Sequence, residues 1–155
     1  MRRTKGAEDA FVSAIPDFDR QKIIRLSYDA TMVNSIDVMT TTLTANPQVA
    51  NWVFWACNDD GVLGAARAME NAGYISEQGI GIGIDGSRAC DAFGNNRETA
   101  FRGTMWLNAE NHGSIAVRLL LAAVKENQPI PEKTFSEPEL ITAANFSEFR
   151  EKLCK

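Results

Sequence analysis

The sequence is poor in the residues that carry most catalytic and metal chemistry. It contains one histidine, His112, and three cysteines, Cys57, Cys90 and Cys154, which form no Cys-x-x-Cys pair. A zinc site needs about four nitrogen, sulfur or carboxylate ligands at close spacing, and no such cluster is present. A cysteine nucleophile would have to use His112 as its base, and we favour a buried structural role for Cys57. We therefore expect no enzyme activity, no metal and no cofactor.

Positive charge and long apolar runs are also scarce. Lys and Arg number 16 against 20 Asp and Glu, a net charge of −4, and no run of basic residues occurs. This balance does not indicate a nucleic-acid partner. No apolar stretch approaches the ~20 residues of a membrane span, and we expect no signal peptide in the first residues. The odd number of cysteines argues against a complete set of internal disulfides.

The length and composition that remain are typical of one globular domain. The chain has 155 residues, of which 45% are hydrophobic and 23% charged, so it is neither disordered nor fibrous. Short β-branched runs alternate with segments of helical periodicity, which predicts an α/β fold with a mainly parallel sheet in three αβα layers. Strands are predicted over 22–28, 52–57, 80–84 and 100–107, helices over 33–43, 59–73, 109–127 and 145–153, and an extended segment over 134–142.

Polar side chains follow directly on two of the predicted strands. Asn58 and Asp59 come after the strand at 52–57, and Asp85 comes after the strand at 80–84. Ligands of open α/β sheets bind outside the carboxyl ends of the strands. Each of these residues could instead only cap the helix that follows it. Their occurrence on two neighbouring strands favours a common ligand.

A glycine motif in the third predicted strand matches a nucleotide-binding fingerprint. Gly81, Gly83 and Gly86 satisfy G-x-G-x-x-G. The fingerprint requires its glycines in the turn after a strand, with the pyrophosphate at the start of the next helix. Because the first two glycines lie inside the predicted strand, we interpret them as small residues that let a helix approach the sheet.

Several short motifs occur in a fixed order along the chain. They are Arg2-Arg3-Thr4-x-Gly6, Pro47-x-Val49-x-x-Trp52, Asn58-Asp59-x-x-x-Leu63-Gly64 and Gly81-Ile82-Gly83-Ile84-x-Gly86, followed by His112-Gly113 and Leu140-Ile141-Thr142. In this order and spacing the chain resembles the periplasmic sugar-binding proteins of ABC importers, and among them the arabinose receptors. The resemblance covers nearly the whole chain.

The resemblance implies a type I periplasmic-binding-protein fold, in which two α/β lobes close over a monosaccharide. It assigns Arg3 and Asn58 to the sugar-binding arginine and the first asparagine of the arabinose receptors. Asp85 stands where those receptors have a second asparagine, and Cys57 replaces a methionine that lines the same pocket. The implied ligand is therefore a pentose or a hexose, without a preference for arabinose.

The family's chains are much longer, so the resemblance implies a C-terminal portion of such a receptor. It assigns residues 1–107 and 138–155 to the second lobe, and 108–137 to a hinge-crossing segment that packs on the first lobe. The helix at 109–127 would then expose its apolar stripe, which favours self-association. The implied partners are a monosaccharide and an ABC permease, with no nucleic acid, and the implied compartment is the periplasm. The alternative function is an effector-binding domain of a sugar-responsive transcriptional regulator, which uses the same fold.

Overall fold

The computed structural model describes residues 2–95 and 97–154 of the chain. These residues form six α-helices and four strands, with short 3-10 turns at Arg20–Lys22 and Ser76–Gln78. In chain order the elements are α1 (Arg2–Ala14), α2 (Met32–Ala45), β1 (Trp52–Trp55), α3 (Asp59–Asn71), β2 (Gly79–Asp85), α4 (Ala89–Phe93), β3 (Phe101–Trp106), α5 (Ala109–Glu126), β4 (Glu139–Thr142) and α6 (Phe146–Leu153). No helix in these ranges is long and apolar enough to cross a membrane.

The four strands form one mixed sheet in the order β1-β2-β3-β4. β1, β2 and β3 run parallel, with Trp55 paired to Ile82 and Gly83 paired to Thr104. β4 closes the far edge in the antiparallel direction and lies within the predicted extended segment. The predicted α/β class with a mainly parallel sheet is confirmed.

The strand predicted over 22–28 is wrong. Residues 20–22 form a 3-10 turn, and 23–29 have no regular secondary structure. Ile24 and Leu26 are exposed, at 46% and 45%. A strand needs a hydrogen-bonded neighbour, and the structure pairs none of the described strands with this segment. The β-branched composition of the segment is therefore insufficient to make it a strand.

Helix α3 covers one face of the sheet, and α2 packs against α3. The buried core between these helices and the sheet includes Met39, Leu43, Val62, Met69 and Phe101. Apolar side chains spaced three and four residues apart on each helix build this core, as their periodicity predicts.

The glycines of β2 face α3 and allow its close approach. A Cβ atom on Gly81 would lie 2.5 Å from the ring of Phe54, and one on Gly83 would lie 2.1 Å from Oδ1 of Asp59. Both distances are too short for any side chain at these positions. The structure thus agrees with the packing interpretation of the glycine motif.

A second buried cluster lies under β4 and is tied by a disulfide. It contains Ala89, Ile141 and Phe146, which bring α4, β4 and α6 together. Cys90 of α4 and Cys154, which follows α6, form the disulfide, with their Cα atoms 5.4 Å apart. The third cysteine, Cys57, is free, as an odd number of cysteines requires.

Helix α1 lies over the opposite face of the sheet, beside β1. The rings of Phe11 and Trp55 are 5.6 Å apart, and Nε1 of Trp55 donates a hydrogen bond of 3.2 Å to the carbonyl of Thr4. Glu8 pairs with Arg25, so α1 also contacts the irregular segment. Helices therefore lie on both faces of the sheet at the β1 side.

Helix α5 stands apart from both clusters. None of its residues is buried. The spacing predicts an apolar stripe of Ile115, Leu119, Ala122 and Ala123, and its expected exposure is wrong because all four residues are half-buried. An adjacent apolar group is instead open to solvent. That group, here called the α5 apolar face, consists of Val117, Leu120, Leu121 and Val124, exposed at 47% to 84%.

Candidate functional site

The candidate site lies at the carboxyl ends of β1 and β2. β1 and β2 are parallel neighbours, so Asn58, which follows β1, and Asp85, which ends β2, lie at the same edge of the sheet. Arg3 joins them from α1, where its Nη1 donates a hydrogen bond of 3.0 Å to the carbonyl of Cys57. The structure therefore gathers the four residues of the predicted site at one end of the sheet. Their role in binding stays a prediction.

Arg3 is held by its backbone while its charge stays accessible. The side chain is exposed, and the hydrogen bond that the indole N–H of Trp55 donates to the carbonyl of Thr4 fixes the start of α1 against β1. A guanidinium carries five N–H donors in a planar fork. The bond to Cys57 uses one of them, which leaves several N–H groups for a ligand.

The side chain of Asn58 caps α3 and is oriented by three bonds. Its Oδ1 accepts from the backbone N–H of Gly61 at 3.0 Å and from the hydroxyl of Tyr28 at 2.7 Å. Its Nδ2 donates to the carbonyl of Ala30 at 2.8 Å. The capping interpretation is therefore right for Asn58. One amide N–H remains, so capping and ligand binding are compatible.

Tyr28 orients Asn58 and also contacts Cys57. The Tyr28 oxygen lies 3.0 Å from Sγ of Cys57. Because the single hydroxyl hydrogen of Tyr28 points to Asn58, the thiol donates in this contact. Burial raises the pKa of Tyr28 above its ordinary value, so the hydroxyl stays protonated at neutral pH. The sequence alone does not single out Tyr28; its one signal is a polar group at the end of the apolar run 22–28.

Asp85 ends β2 in an unusual backbone conformation. Its φ angle is 111°, and the next residue, Gly86, has φ of 85°. A non-glycine residue in this region is strained, and such strain concentrates at functional sites. Oδ1 of Asp85 accepts from the backbone N–H of Ser87 at 2.8 Å. Within the described residues, Oδ2 has no protein donor and can accept from a ligand hydroxyl.

Asp59 is fully buried behind these residues, at 0% exposure. Its Oδ1 accepts from the hydroxyl of Thr104 at 2.6 Å, and its Oδ2 accepts from the backbone N–H of Arg88 at 3.0 Å. Burial raises the pKa of Asp59 to about 6, and the nearby charge of Asp85 acts in the same direction, while both hydrogen bonds oppose the rise. Asp59 is thus a supporting residue that has no access to a ligand.

Two concave regions lie at opposite ends of the sheet. A groove of about 240 Å³ runs between α1 and the sheet, and Arg3 is the charged residue among its mainly apolar lining. A wider concavity of about 520 Å³ lies where the strands begin, and its lining includes Tyr74 and Gln78. The groove, rather than the wider concavity, adjoins the predicted site. Across residues 2–95 and 97–154, no group of three or more His, Cys, Asp or Glu could hold a metal ion.

Comparison with known proteins identifies relatives along nearly the whole chain. No protein-family model matches it. The L-arabinose-binding periplasmic protein of Escherichia coli (strain K12) is 31% identical over 153 residues, and the ABC transporter L-arabinose-binding periplasmic protein of Azospirillum brasilense is 30% identical over 157 residues. The chain is a distant homologue of L-arabinose-binding periplasmic proteins. Each alignment covers 97% of this chain and 46% or 45% of the relative.

The chain therefore spans about half the length of the curated relatives it matches. Among solved structures, a galactofuranose binding protein superposes with a TM-score of 0.79 at 28% identity, covering 98% of this chain and 50% of the other. The observed fold is that of half of a periplasmic binding protein. The homologues are non-enzymatic binding proteins.

Proposed function

We propose that this chain supplies one half of a monosaccharide site in the solute-binding component of an ABC importer. The observation that carries the proposal is the convergence of Arg3, Asn58 and Asp85 at the carboxyl ends of β1 and β2, where open α/β sheets bind their ligands. A sugar presents adjacent hydroxyls that donate and accept hydrogen bonds. A guanidinium, an amide and a carboxylate together offer both kinds of partner.

Each of these three side chains has unused hydrogen-bonding groups that suit one part of a sugar. The fork of Arg3 can hold a ring oxygen and a neighbouring hydroxyl. The remaining N–H of Asn58 can donate to a second hydroxyl, and Oδ2 of Asp85 can accept from a third. Charge-assisted bonds of this kind contribute about 1.5–3 kcal/mol each where water is excluded. The half-buried thiol of Cys57 would line the same pocket.

The site chemistry fits a pentose or a hexose without selecting one. The matched relatives are named for L-arabinose, a pentose, and for galactofuranose, a hexose. Three hydrogen-bonding residues on one side of a ring fix its orientation, and the first lobe of the receptor would supply the remaining contacts. We propose that closure of the first lobe over the sugar excludes water and sets the specificity.

We further propose that residues 1–107 and 138–155 form the sugar-binding lobe, and that 108–137 crosses a hinge to pack on a first lobe. The α5 apolar face supports this assignment, because its side chains contact neither buried cluster. In the chain alone, the same face would drive self-association.

We also propose a periplasmic location and an ABC permease as the partner of the complete receptor. The disulfide between Cys90 and Cys154 supports the location, because disulfides persist in oxidising compartments such as the periplasm. The regulator alternative would use the same sugar site, and the names of the 30–31% identical relatives favour transport.

Isothermal calorimetry with a panel of pentoses and hexoses tests the proposal. We expect weak binding by this chain, because one lobe supplies only part of the contacts and does not exclude water, and Arg3→Ala and Asp85→Ala should each weaken it. In the complete receptor each substitution should remove about 2–4 kcal/mol of binding free energy, which is about 30- to 700-fold in Kd. Asp17→Ala and Arg20→Ala change exposed residues outside the site and serve as matched controls. Equal affinities for all five proteins would refute the site.

A further inference from the structure

Asp59 is a buried carboxylate at a point where three segments meet. It begins α3, contacts Thr104 of β3 through Oδ1, and contacts the backbone of Arg88 in the turn after β2 through Oδ2. Burying an ionisable group in this way is costly unless its hydrogen bonds are made. Gly83 lies so close that any Cβ at this position would overlap Oδ1 of Asp59. The absence of a side chain at Gly83 thus leaves room for this carboxylate between α3 and the sheet.

The carboxylate sets the direction of a short hydrogen-bond chain. Thr104 donates its only hydroxyl hydrogen to Asp59, so its oxygen can accept from the backbone N–H of Gly86, at 3.2 Å. The second oxygen of Asp59 holds the N–H of Arg88 directly. The turn after β2 is therefore anchored at two of its backbone N–H groups, that of Gly86 by Thr104 and that of Arg88 by Asp59.

The third N–H of the turn belongs to Ser87 and is bound by the Asp85 carboxylate itself. Asp85 adopts its strained backbone conformation directly before the two anchored groups. Strain of this kind persists only where surrounding contacts over-determine it. The contacts of Asp59 and Thr104 are those that hold this turn from inside the protein.

We propose that Asp59, acting through Thr104, is the positioning residue that holds the turn at 85–88 so that the carboxylate of Asp85 faces the ligand site. The inference rests on the proposed sugar-binding role of Asp85. An amide at position 59 could not replace the carboxylate, since its NH2 group would meet one of the two donors, Thr104 or the N–H of Arg88.

The charges around Asp59 fit a positioning role. Asp85 is a like charge beyond the turn, and Arg88 turns its guanidinium away from Asp59 to pair with Asp60 at 2.7 Å. No cation neutralises Asp59 in the described contacts, so its ionised form depends on its hydrogen bonds. Burial raises the pKa of Asp59 and these hydrogen bonds oppose the rise, so the loss of one of them should raise the pKa further.

NMR on the full chain with Thr104→Ser and Thr104→Val tests the inference. Thr104→Val removes the hydroxyl and should raise the pKa of Asp59 above about 6, by roughly one unit. It should also speed amide hydrogen exchange at Gly86 and Ser87 by about tenfold or more. Thr104→Ser keeps the hydroxyl and should leave both quantities near those of the unchanged protein. Asp59→Asn should speed exchange at Arg88 as well.

The outcomes below test the positioning role of Asp59 and the proposed sugar binding separately. If Thr104→Val leaves the titration of Asp59 or the exchange of Ser87 unchanged, the positioning role is overturned. The same holds if Thr104→Ser behaves like Thr104→Val, because the effect would then be one of packing. If D-galactose and L-arabinose shift no signal of Asp85 in the unchanged protein, the proposed function fails, and the exchange of Ser87 still decides whether Asp59 holds the turn.

Discussion

Removal of the disulfide is expected to destabilise the fold strongly. The bond between Cys90 and Cys154 joins residues 64 positions apart and links α4 to the end of α6. Both helices belong to the second buried cluster, whose core side chains are Ala89, Ile141 and Phe146. This cluster has only these three buried side chains among the described residues, so the disulfide adds a covalent constraint to a small core. The double substitution Cys90→Ser/Cys154→Ser removes the bond with little change in side-chain volume.

The size of the effect follows from the length of the closed loop. Closing a loop of 64 residues lowers the conformational entropy of the unfolded chain by an amount equivalent to about 4 kcal/mol at 25 °C. Because strain in the native state reduces this gain, we expect a loss of about 3–4 kcal/mol in the free energy of unfolding. With a urea dependence of about 2 kcal/mol per molar, the midpoint should fall by roughly 2 M.

Urea unfolding followed by circular dichroism measures this loss. The oxidised protein is compared with the double serine variant and with protein reduced by dithiothreitol, which should agree with each other. Cys57→Ser is the matched control, because Cys57 is free. A midpoint within about 0.3 M of the oxidised protein for the double variant would contradict the reasoning, since the loop constraint would then contribute little.

Three further predictions address packing, titration and association. Gly83→Ala should lower the free energy of unfolding by about 3 kcal/mol, because the added methyl group overlaps Asp59. Gly113→Ala is the control, since its methyl group enters open space and should stabilise α5 slightly; urea unfolding measures both. Asp59, with its pKa raised to about 6, favours the folded state when protonated. This stabilisation of about 2–3 kcal/mol should be complete below pH ~4 and lost as the pH rises through about 6. The free energy of unfolding, measured by urea across this pH range, should show this pH dependence in the unchanged protein and lack it in Asp59→Asn. Light scattering at micromolar concentration should detect oligomers of the 17.0 kDa chain. The double substitution Leu120→Lys/Val124→Lys should weaken the association constant at least about tenfold, and a monomer in the unchanged protein would contradict self-association.

The sequence predicts the strands and helices whose apolar spacing is visible within a short segment and whose packing partners lie in this chain. The strands at 52–57, 80–84 and 100–107 appear as β1, β2 and β3 because their apolar runs are covered by α3. The predicted site residues follow from the rule that parallel strands end at one edge of a sheet. The strand at 22–28 fails because no described strand pairs with it.

Other features depend on tertiary contacts that no spacing reveals. Helix α1 has a glycine in its interior and a weak pattern, and its contacts with Trp55 hold it in place. The disulfide pairing of Cys90 with Cys154 arises from the packing of α4 on α6. The role of Thr104 is visible only once β3 lies beside Asp59.

Amide chemical shifts recorded during titration with L-arabinose and D-galactose test whether Arg3, Asn58 and Asp85 bind a sugar. We expect changes at these three residues at millimolar sugar, and their loss in Asp85→Ala. Changes confined to Tyr74 and Gln78, in the concavity at the other end of the sheet, would contradict it. So would the absence of any change at the three site residues with both sugars.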